Sequence, residues 1–342
     1  EPVVTIAIEP KHSRDLPKLI EALRKLTIED PNLHVKINQE TGEYLLSGMG
    51  TLHLEIAIHM LEDQGLEVTA SLPIVVYRET VKGRSSDFPG KSPNKHNKFL
   101  LRVEPLEPEI VDMITSGELT DDMDRKRLSK ILFEMGWPTE EARNVWCVDE
   151  RGNMLINVTK GVQYLDEAKS MIISAFKSAC EEGVLAREPV RGMRVLLLDA
   201  QLHEDPALRT FAQIFPAIRR AIYGAFLEAK PTLLEPQMLL SVQVPPDYVG
   251  TVTSVISSKR GVVLGMEHRE YFVVIDGEVP VSETFDLAQV LRGATAGRAF
   301  WQMTFRRWGE VPQSLLPRVL AEVRRRKGLP EKLPSPEDFR PT

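Results

Sequence analysis

VVTIAIEPKHSRDLPKLIEALRKL, residues 3–26, is the stretch that decides the fold. Residues 3–9 alternate well enough for a strand. Ser13 is placed to cap a helix, and Asp15 to favour that helix's positive end. Leu16, Leu19, Ile20, Leu23 and Leu26 then recur at helical spacing. Downstream, 33–38 and 44–48 read as two strands joined by the turn Glu40-Thr41-Gly42-Glu43. A second helix starts at Thr51, is marked by Leu52, Leu54, Ile56, Ile58 and Leu61, and ends near Gly65. Residues 66–70 supply one more strand. The order strand-helix-strand-strand-helix-strand predicts a ferredoxin-like, split βαβ unit.

The same order restarts far along the chain. A strand is expected at 238–244, then a helix carrying Tyr248, Val252, Val255 and Ile256 that ends at Lys259-Arg260-Gly261. Strands at 262–267 and 271–275, a helix at 286–291 and a strand at 299–306 complete a second such unit. The fold class is therefore α+β, two ferredoxin-like domains flanking a different α+β domain. The middle region offers strands at 99–104, 154–158 and 193–199, and a short helix at 139–145 between Trp137 and Trp146, both read as core. Residues 107–135 are helical in pattern, and Glu118, Asp121, Asp122 and Asp124 read as a solvated face. Val162, Leu165, Ala168, Ile172, Ala175 and Phe176 mark a helix over 162–179. A last helix, 315–327, turns Leu316, Val319, Leu320 and Val323 inward. Arg324, Arg325, Arg326 and Lys327 suit its negative end, with phosphate contact as an alternative use. The proline-rich tail, 329–342, is expected to be extended.

Two loops stand out. KGRSSDFPGKSPNKHNK, 82–98, sets Lys82, Arg84, Lys91, Lys95 and Lys98 against one acid, Asp87, with little to bury. It reads as a basic loop suited either to a phosphate backbone or to solvent. LHEDPALRTFAQIFPA, 202–217, begins with Asp205-Pro206, a helix-start pair. Pro216 inside a helix costs about 3 kcal/mol. The expectation is a polar loop at 202–211, a short extended segment, and a helix from Pro216 with Ile218, Ala221, Ile222 and Phe226 on one face.

The 342 residues suffice for two or three domains, and 42% apolar content is that of a globular protein. No run approaches the roughly 18 apolar residues of a membrane span. No charged-then-apolar leader precedes the first strand, and the chain starts at Glu1 rather than Met, so residues upstream are expected to be missing. Two cysteines, Cys147 and Cys180, without a CxxC pair point to a reducing, cytoplasmic setting. A net charge of -6 excludes a uniformly basic coat but not local basic patches.

Catalytic signals are lacking. The seven histidines, His12, His34, His53, His59, His96, His203 and His268, form no HExxH and no close cluster with cysteine. Nothing fits GxxxxGK[ST], and the NKHN of residues 94–97 is not the NKxD base-reading motif. Phe211, Phe215, Trp301 and Phe305 read as core rather than ligand boxes. No catalytic residue, cofactor or metal is expected, and the residues alone lead to a binding module with basic loops.

Ten stretches in order add a resemblance: EPVVTIAIEPKHSRDLPKLIEALRKL (1–26), SGMGTLHLEI (47–56), YRETV (77–81), GKSPNKHNK (90–98), TKGVQYLDEAK (159–169), LLDAQLHED (197–205), AKPTLLEP (229–236), GTVTSVISSKRG (250–261), LRGATAGRAFWQ (291–302) and RKGLP (326–330). Together they resemble archaeal and eukaryotic elongation factor 2, the ribosomal translocase, over its third, fourth and fifth domains only. The resemblance implies domain three at 1–75, an elongated domain-four arm at 76–226, domain five at 227–309, and a 310–342 segment returning to the arm. It implies that the arm's tip enters the small-subunit decoding centre and touches transfer RNA and messenger RNA. Those tip loops fall on 92–98, on 159–161 and on 203–209. Lys91, Lys95, Lys98, Lys160 and Arg209 are then candidates for backbone contacts. Asn94 and His96 are candidates for unpaired bases, and His203, Asp205 and Leu208 sit in the same loop set. Lys259 and Arg260 would face ribosomal RNA of the large subunit's factor-binding region.

One departure is notable. The family's loop reads approximately LHEDAIHRG, and its second histidine becomes diphthamide; here Leu208 holds that position and Thr210 replaces the glycine. No GTP-binding motif is present. The resemblance thus implies a cytoplasmic ribosome-binding protein without GTPase activity of its own, occupying the aminoacyl site as a hibernation or silencing factor. The alternative is the C-terminal part of a full elongation factor 2 GTPase that catalyses translocation. Ribosomal RNA is the expected partner, with no membrane.

Overall fold

The computed structural model describes residues 1–38 and 43–342, without the side chains of Asn38 and Glu43. The chain divides into two compact units: Glu1–Tyr77 with Glu235–Gly309, and Arg78–Leu234 with Glu310–Thr342.

The first unit opens with β1 (Val4–Pro10), α1 (Leu16–Glu29), β2 (His34–Asn38), β3 (Glu43–Gly48), α2 (Thr51–Asp63), β4 (Val68–Ala70) and the short β5 (Ile74–Val75). The sheet order is β2-β3-β1-β4, with β5 also on β1. β3 lies antiparallel between β1 and β2, the split βαβ arrangement expected from the sequence. α1 buries Leu19, Leu23 and Leu26. Its cap position is Asp15 rather than Ser13, which instead opens a 3-10 turn ahead of the helix. α2 buries Leu54, Ala57 and Leu61, whereas Leu52 and Ile56, which also mark it in the sequence, are exposed. Of the turn expected at 40–43, residues 40–42 lie outside the described residues and Glu43 belongs to β3.

The second unit holds β6 (Arg78–Val81), β7 (Phe88–Lys91), β8 (Lys98–Pro105), α3 (Pro108–Thr115), α4 (Arg125–Glu134), α5 (Thr139–Arg143), β9 (Val145–Asp149), β10 (Asn153–Asn157), α6 (Leu165–Glu181), β11 (Met193–Gln201) and α7 (Phe211–Glu228). Its sheet runs β7-β8-β11-β10-β9. Only a crossover can join parallel neighbours, and α6 is the crossover between the parallel strands β10 and β11. Ile110, Leu128, Leu132, Trp137, Met154, Ile156 and Leu196 form a core under α3 to α5.

Several expectations change here. Residues 82–98 are not one solvated loop, because β7 and β8 pair as a hairpin and Phe88, Ser92 and Asn97 are buried. Residues 107–135 split into two helices around Gly117, which has a φ of +85°. Asp124 caps α4 by accepting from the Arg127 amide at 3.3 Å, and Asp121 accepts from the Val148 amide at 2.8 Å. Those two acids have structural partners rather than forming only a solvated face. Trp137 is buried but Trp146 only half so, and Val145, read as the end of the short helix, opens the strand β9.

Pro216 lies inside α7, which is continuous from Phe211. The carbonyl left without its helical N–H is that of Ala212, four residues earlier. Ala212 is exposed, so water can take the place of the missing donor. The expected face of Ile218, Ala221, Ile222 and Phe226 is buried. Phe211, read as core, is exposed.

β12 (Pro231–Val244) begins in the second unit, pairing β6, and continues in the first, pairing β14. Then come α8 (Val249–Ser258), β13 (Val262–His268), β14 (Val273–Pro280), α9 (Leu287–Ala294) and β15 (Phe300–Glu310). The order β13-β14-β12-β15 repeats the split βαβ pattern. Tyr248 precedes α8 instead of lying on it. Trp301 and Phe305, read as core, are half-buried.

α10 (Leu316–Arg326) buries Leu320 and Val323, and also Arg324. Arg324 donates to the carbonyls of Leu185 (2.6 Å) and Pro330 (2.7 Å), so it is a tether rather than a dipole cap or a phosphate ligand. The tail is not simply extended: Pro336–Phe339 form a 3-10 turn beside α7.

Candidate functional site

The β7–β8 hairpin ends in Ser92–Asn97, and this connection is built to hold one shape. Ser92 and Asn97 exchange backbone and side-chain bonds: Ser92 N–H to Asn97 O at 2.9 Å, and Asn97 N–H to Ser92 Oγ at 3.0 Å. The Ser92 hydroxyl donates to Asn94 Oδ1 at 2.6 Å, and the His96 amide to the same oxygen at 3.0 Å. Lys95 takes a left-handed φ of 66° and donates its amide to Ser92 O at 2.8 Å. With the polar groups of the turn spent on one another, Lys95 and His96 are left exposed.

Asn97 joins this turn to the 202–210 loop. It is fully buried, its Oδ1 accepts from the His203 amide at 3.0 Å, and its Nδ2 donates to Leu208 O at 2.8 Å. Asn94 Nδ2 donates to the same carbonyl at 2.7 Å, and the Asn94 amide to Gln213 Oε1 at 2.8 Å. Asp205 accepts from the Ala207 amide at 2.9 Å and so caps the Pro206–Leu208 turn. His203 Nδ1 accepts from the Asp205 amide at 3.0 Å, which places the ring hydrogen on Nε2. The His96 and His203 rings meet edge to face at 5.1 Å.

Arg209 ties in the third loop. It donates to the carbonyls of His203 (2.9 Å) and Glu204 (2.7 Å) and to the Glu167 carboxylate. Its guanidinium lies 4.5 Å from the centre of the Tyr164 ring. Only 4% of Arg209 is exposed, so the expected phosphate contact is replaced by an internal clamp. Beside it Asn157, Thr159, Gly161, Tyr164, Asp166 and Glu167 line an open cavity of about 390 Å³. The structure thus brings together Asn94, Lys95, His96, His203, Asp205, Leu208 and Arg209.

Charge is distributed unevenly over this cluster. Lys91 and Lys98 are direct cross-strand partners. Like charges there are mutually destabilising. With Lys95 they place three ammonium groups around one hairpin end, and among the described residues none of them has an ion-pair partner. Lys160 is exposed and reaches Glu140 at 3.3 Å. A solvent-exposed pair like that contributes about 0–1 kcal/mol and yields easily to another anion.

Lys259 and Arg260 belong to the other unit, and their charges are already engaged. Lys259 Nζ lies 2.6 Å from Asp286, whose carboxyl it holds below the usual range. Burial opposes the Arg260 charge, but Glu235 at 3.0 Å and Glu283 at 3.1 Å more than offset this and hold its pKa above the ordinary value. This is a folded ion network rather than the open phosphate contact expected.

Sequence reading missed the residues that hold the loops together: Asn97, Gln213, Tyr164 and Glu167. Asn97 and Gln213 lie inside the two stretches already singled out, 82–98 and 202–217. Nothing local, however, indicates that an amide at 97 binds a carbonyl at 208, or that a ring at 164 lies under a guanidinium at 209. Among the described residues no group of three or more His, Cys, Asp or Glu could hold a metal, and no helix is long and apolar enough to cross a membrane.

The family described as Elongation Factor G, domain III matches residues 1–71. Elongation factor G, domain IV matches 119–230, and Elongation factor G C-terminus matches 232–319. The chain is similar to Elongation factor 2 of Staphylothermus marinus, 54% identical over 341 residues, 99% of this chain and 46% of that protein. It is also similar to Elongation factor 2 of Sulfurisphaera tokodaii (53%) and of Saccharolobus solfataricus (52%), with the same coverage. It spans about half the length of the curated relatives it matches.

Proposed function

From the premise that this chain belongs to the elongation factor 2 family and matches its C-terminal domains, we propose that it binds the ribosome through the joined loops 92–98 and 202–210. One observation carries this reading. Among the described residues Lys91, Lys95 and Lys98 stand without carboxylate partners, on a hairpin end fixed by Asn94 and Asn97. A cluster of free ammonium groups on a preorganised frame suits the phosphate backbone of ribosomal RNA, because binding releases counterions and little loop entropy is lost. His96 and Asn94, at the same end, suit bases in an unpaired stretch. The chain performs no bond-breaking of its own, and its work is done in the cytoplasm at the decoding centre, beside transfer RNA and messenger RNA.

Leu208 favours occupancy over translocation. The resemblance puts the family's modified histidine there, and an apolar side chain cannot supply that histidine's charge. The chain then holds the aminoacyl site of idle ribosomes, as a hibernation or silencing factor. A second reading is favoured by the chain's 46% coverage of its relatives: it is the C-terminal part of a translocase GTPase, and the same loops are used during elongation.

Co-sedimentation of the purified chain with archaeal ribosomes tests the binding itself. The Lys91→Glu/Lys95→Glu/Lys98→Glu variant is expected to lose binding at physiological salt while keeping its circular dichroism. Losing three phosphate contacts makes the plot of log affinity against log salt shallower by roughly 2 to 3 units. Unchanged sedimentation of the triple variant would refute the assignment. Binding of the chain alone, independent of GTP, is what the occupancy reading requires. Binding only when a GTPase domain is supplied favours the second.

A further inference from the structure

We propose that the groove between α4 and α5 docks a short acidic peptide that carries a bulky apolar side chain. This surface takes no part in the loop cluster above. The inner side of α4 is spoken for, since Leu128 and Leu132 are buried in the core with Ile110 and Trp137. The outer side is not. Arg125, Lys126, Lys130 and Phe133 on α4, with Ala142 and Arg143 on α5, line an open groove of about 580 Å³.

Two properties of the groove define the occupant. The first is charge. Four cations and no carboxylate line it. Among the described residues Lys126, Lys130 and Arg143 have no ion-pair partner. Arg125 is shared with Asp121 at 3.1 Å, and its Nη1 finds no acceptor among the described residues. An anionic partner fits. The second property is an aromatic wall: Phe133 is 58% exposed on a helix whose other large apolar groups are turned inward. A partner that offers an apolar side chain as well as carboxylates uses both features, in the anchor-and-rim manner of peptide recognition.

The surroundings favour a peptide over a nucleic acid. Asp121, Asp122 and Asp124 precede α4, Glu134 is its last residue, and Glu140 and Glu141 lie on α5. The positive zone is therefore short and bounded by carboxylates. A nucleic-acid backbone, with a charge at every phosphate, would run into those acids. A few acidic residues around one apolar anchor would stop short of them.

Fluorescence anisotropy on the full chain tests this. The probes are a fluorescein-labelled synthetic peptide of Asp and Glu around a central Phe, the same peptide without the Phe, and a labelled polyuridine oligonucleotide. Saturable binding of the first peptide is expected, roughly tenfold or more tighter than that of the Phe-free one. Lys126→Glu/Lys130→Glu and Phe133→Ser should each weaken it by a similar factor, with melting curves unchanged because these side chains lie outside the core. Three results overturn the proposal: no saturable binding of the Phe-containing peptide, equal affinity with and without the Phe, or an oligonucleotide that binds more tightly and through the same lysines. The peptide comparison needs no variant, so it decides the matter even if a substituted chain misfolds.

Discussion

Glu79 in β6 is fully buried, and three backbone amides converge on its carboxyl: Leu185 at 2.6 Å, Glu188 at 2.9 Å and Ala186 at 3.1 Å. Burial pushes this carboxyl up to about 7, although the amide donors hold it down. The sign of the linkage follows. An acid whose pKa is higher in the folded state than in the unfolded chain stabilises the fold most when both states are protonated. That contribution fades as pH rises from the ordinary value near 4.5 through about 7, and is constant above it. A shift of this size corresponds to something on the order of 3 kcal/mol. Thermal melts of wild type and Glu79→Gln between pH 5 and 8 should therefore differ in slope, with wild type losing stability faster as pH rises. Parallel curves would show that Glu79 does not titrate in this range. The residue also explains Gly183, where any Cβ would overlap the Glu79 carboxylate. Nothing local in YRETV announces a buried acid. A glutamate between Arg78 and Thr80 looks like any polar strand residue until the amides more than a hundred positions later are in place.

At the level of elements, periodicity located most helices and their inner faces, and failed where a partner rather than a pattern decides. The face of α7 was legible because Ile218, Ala221, Ile222 and Phe226 repeat at helical spacing. The start of α7 was not, because the penalty for Pro216 depends on whether the Ala212 carbonyl reaches water. The hairpin at 88–105 was hidden by its own composition: Pro, Gly, Ser and Lys outnumber apolar residues, yet Phe88 and the close approach of Gly90 seat it against α7. The candidate site divides the same way. Its lysines were visible in sequence, whereas the burial of Arg209 depends on Tyr164 and Glu167, far off along the chain. The α7–β7 contact is also where a substitution is informative. Gly224 faces Phe88, and a methyl there would overlap the ring. Alanine gains about 1 kcal/mol in helix propensity over glycine, but overpacking a fixed aromatic ring costs about 1–3 kcal/mol. Gly224→Ala should lower the denaturation midpoint of the second unit, since Phe88 is fully buried with little room to yield. An unchanged or higher midpoint would mean that the hairpin moves freely on the helix.

On the scale of the molecule, the second unit is assembled from segments that are not contiguous, and residues 310–342 are part of it rather than an appendage. The link is specific. The amides of Leu185, Ala186 and Glu188 face Glu79, while the carbonyls of Leu185, Ala186 and Arg187 accept from Arg324 and Lys327 at 2.6, 2.7 and 3.0 Å. One loop is thus clamped on both sides, by the carboxyl group of Glu79 from the unit's first strand and by cations from its last helix. Further on, Arg220 donates to Asp338 O at 2.6 Å, and Arg340 reaches Glu228 at 2.8 Å while its guanidinium lies 4.7 Å from the Phe88 ring centre. The tail therefore supports the same α7 and hairpin that position the lysine cluster. Truncation after Gly309 should leave exchange of the β1 and β3 amides unchanged. It should raise amide exchange at 183–190 and along α7 by roughly tenfold or more, because stability is local and follows the contacts removed. The carbonyls vacated by Arg324 would then need water, and each hydrogen bond to a charged group lost in this way costs about 1.5–3 kcal/mol. Equal protection of 183–190 in the two chains would mean that Glu79 holds the loop unaided. Weakened ribosome binding by the truncated chain, with all three lysines intact, would tie the tail to the shape of the binding loops.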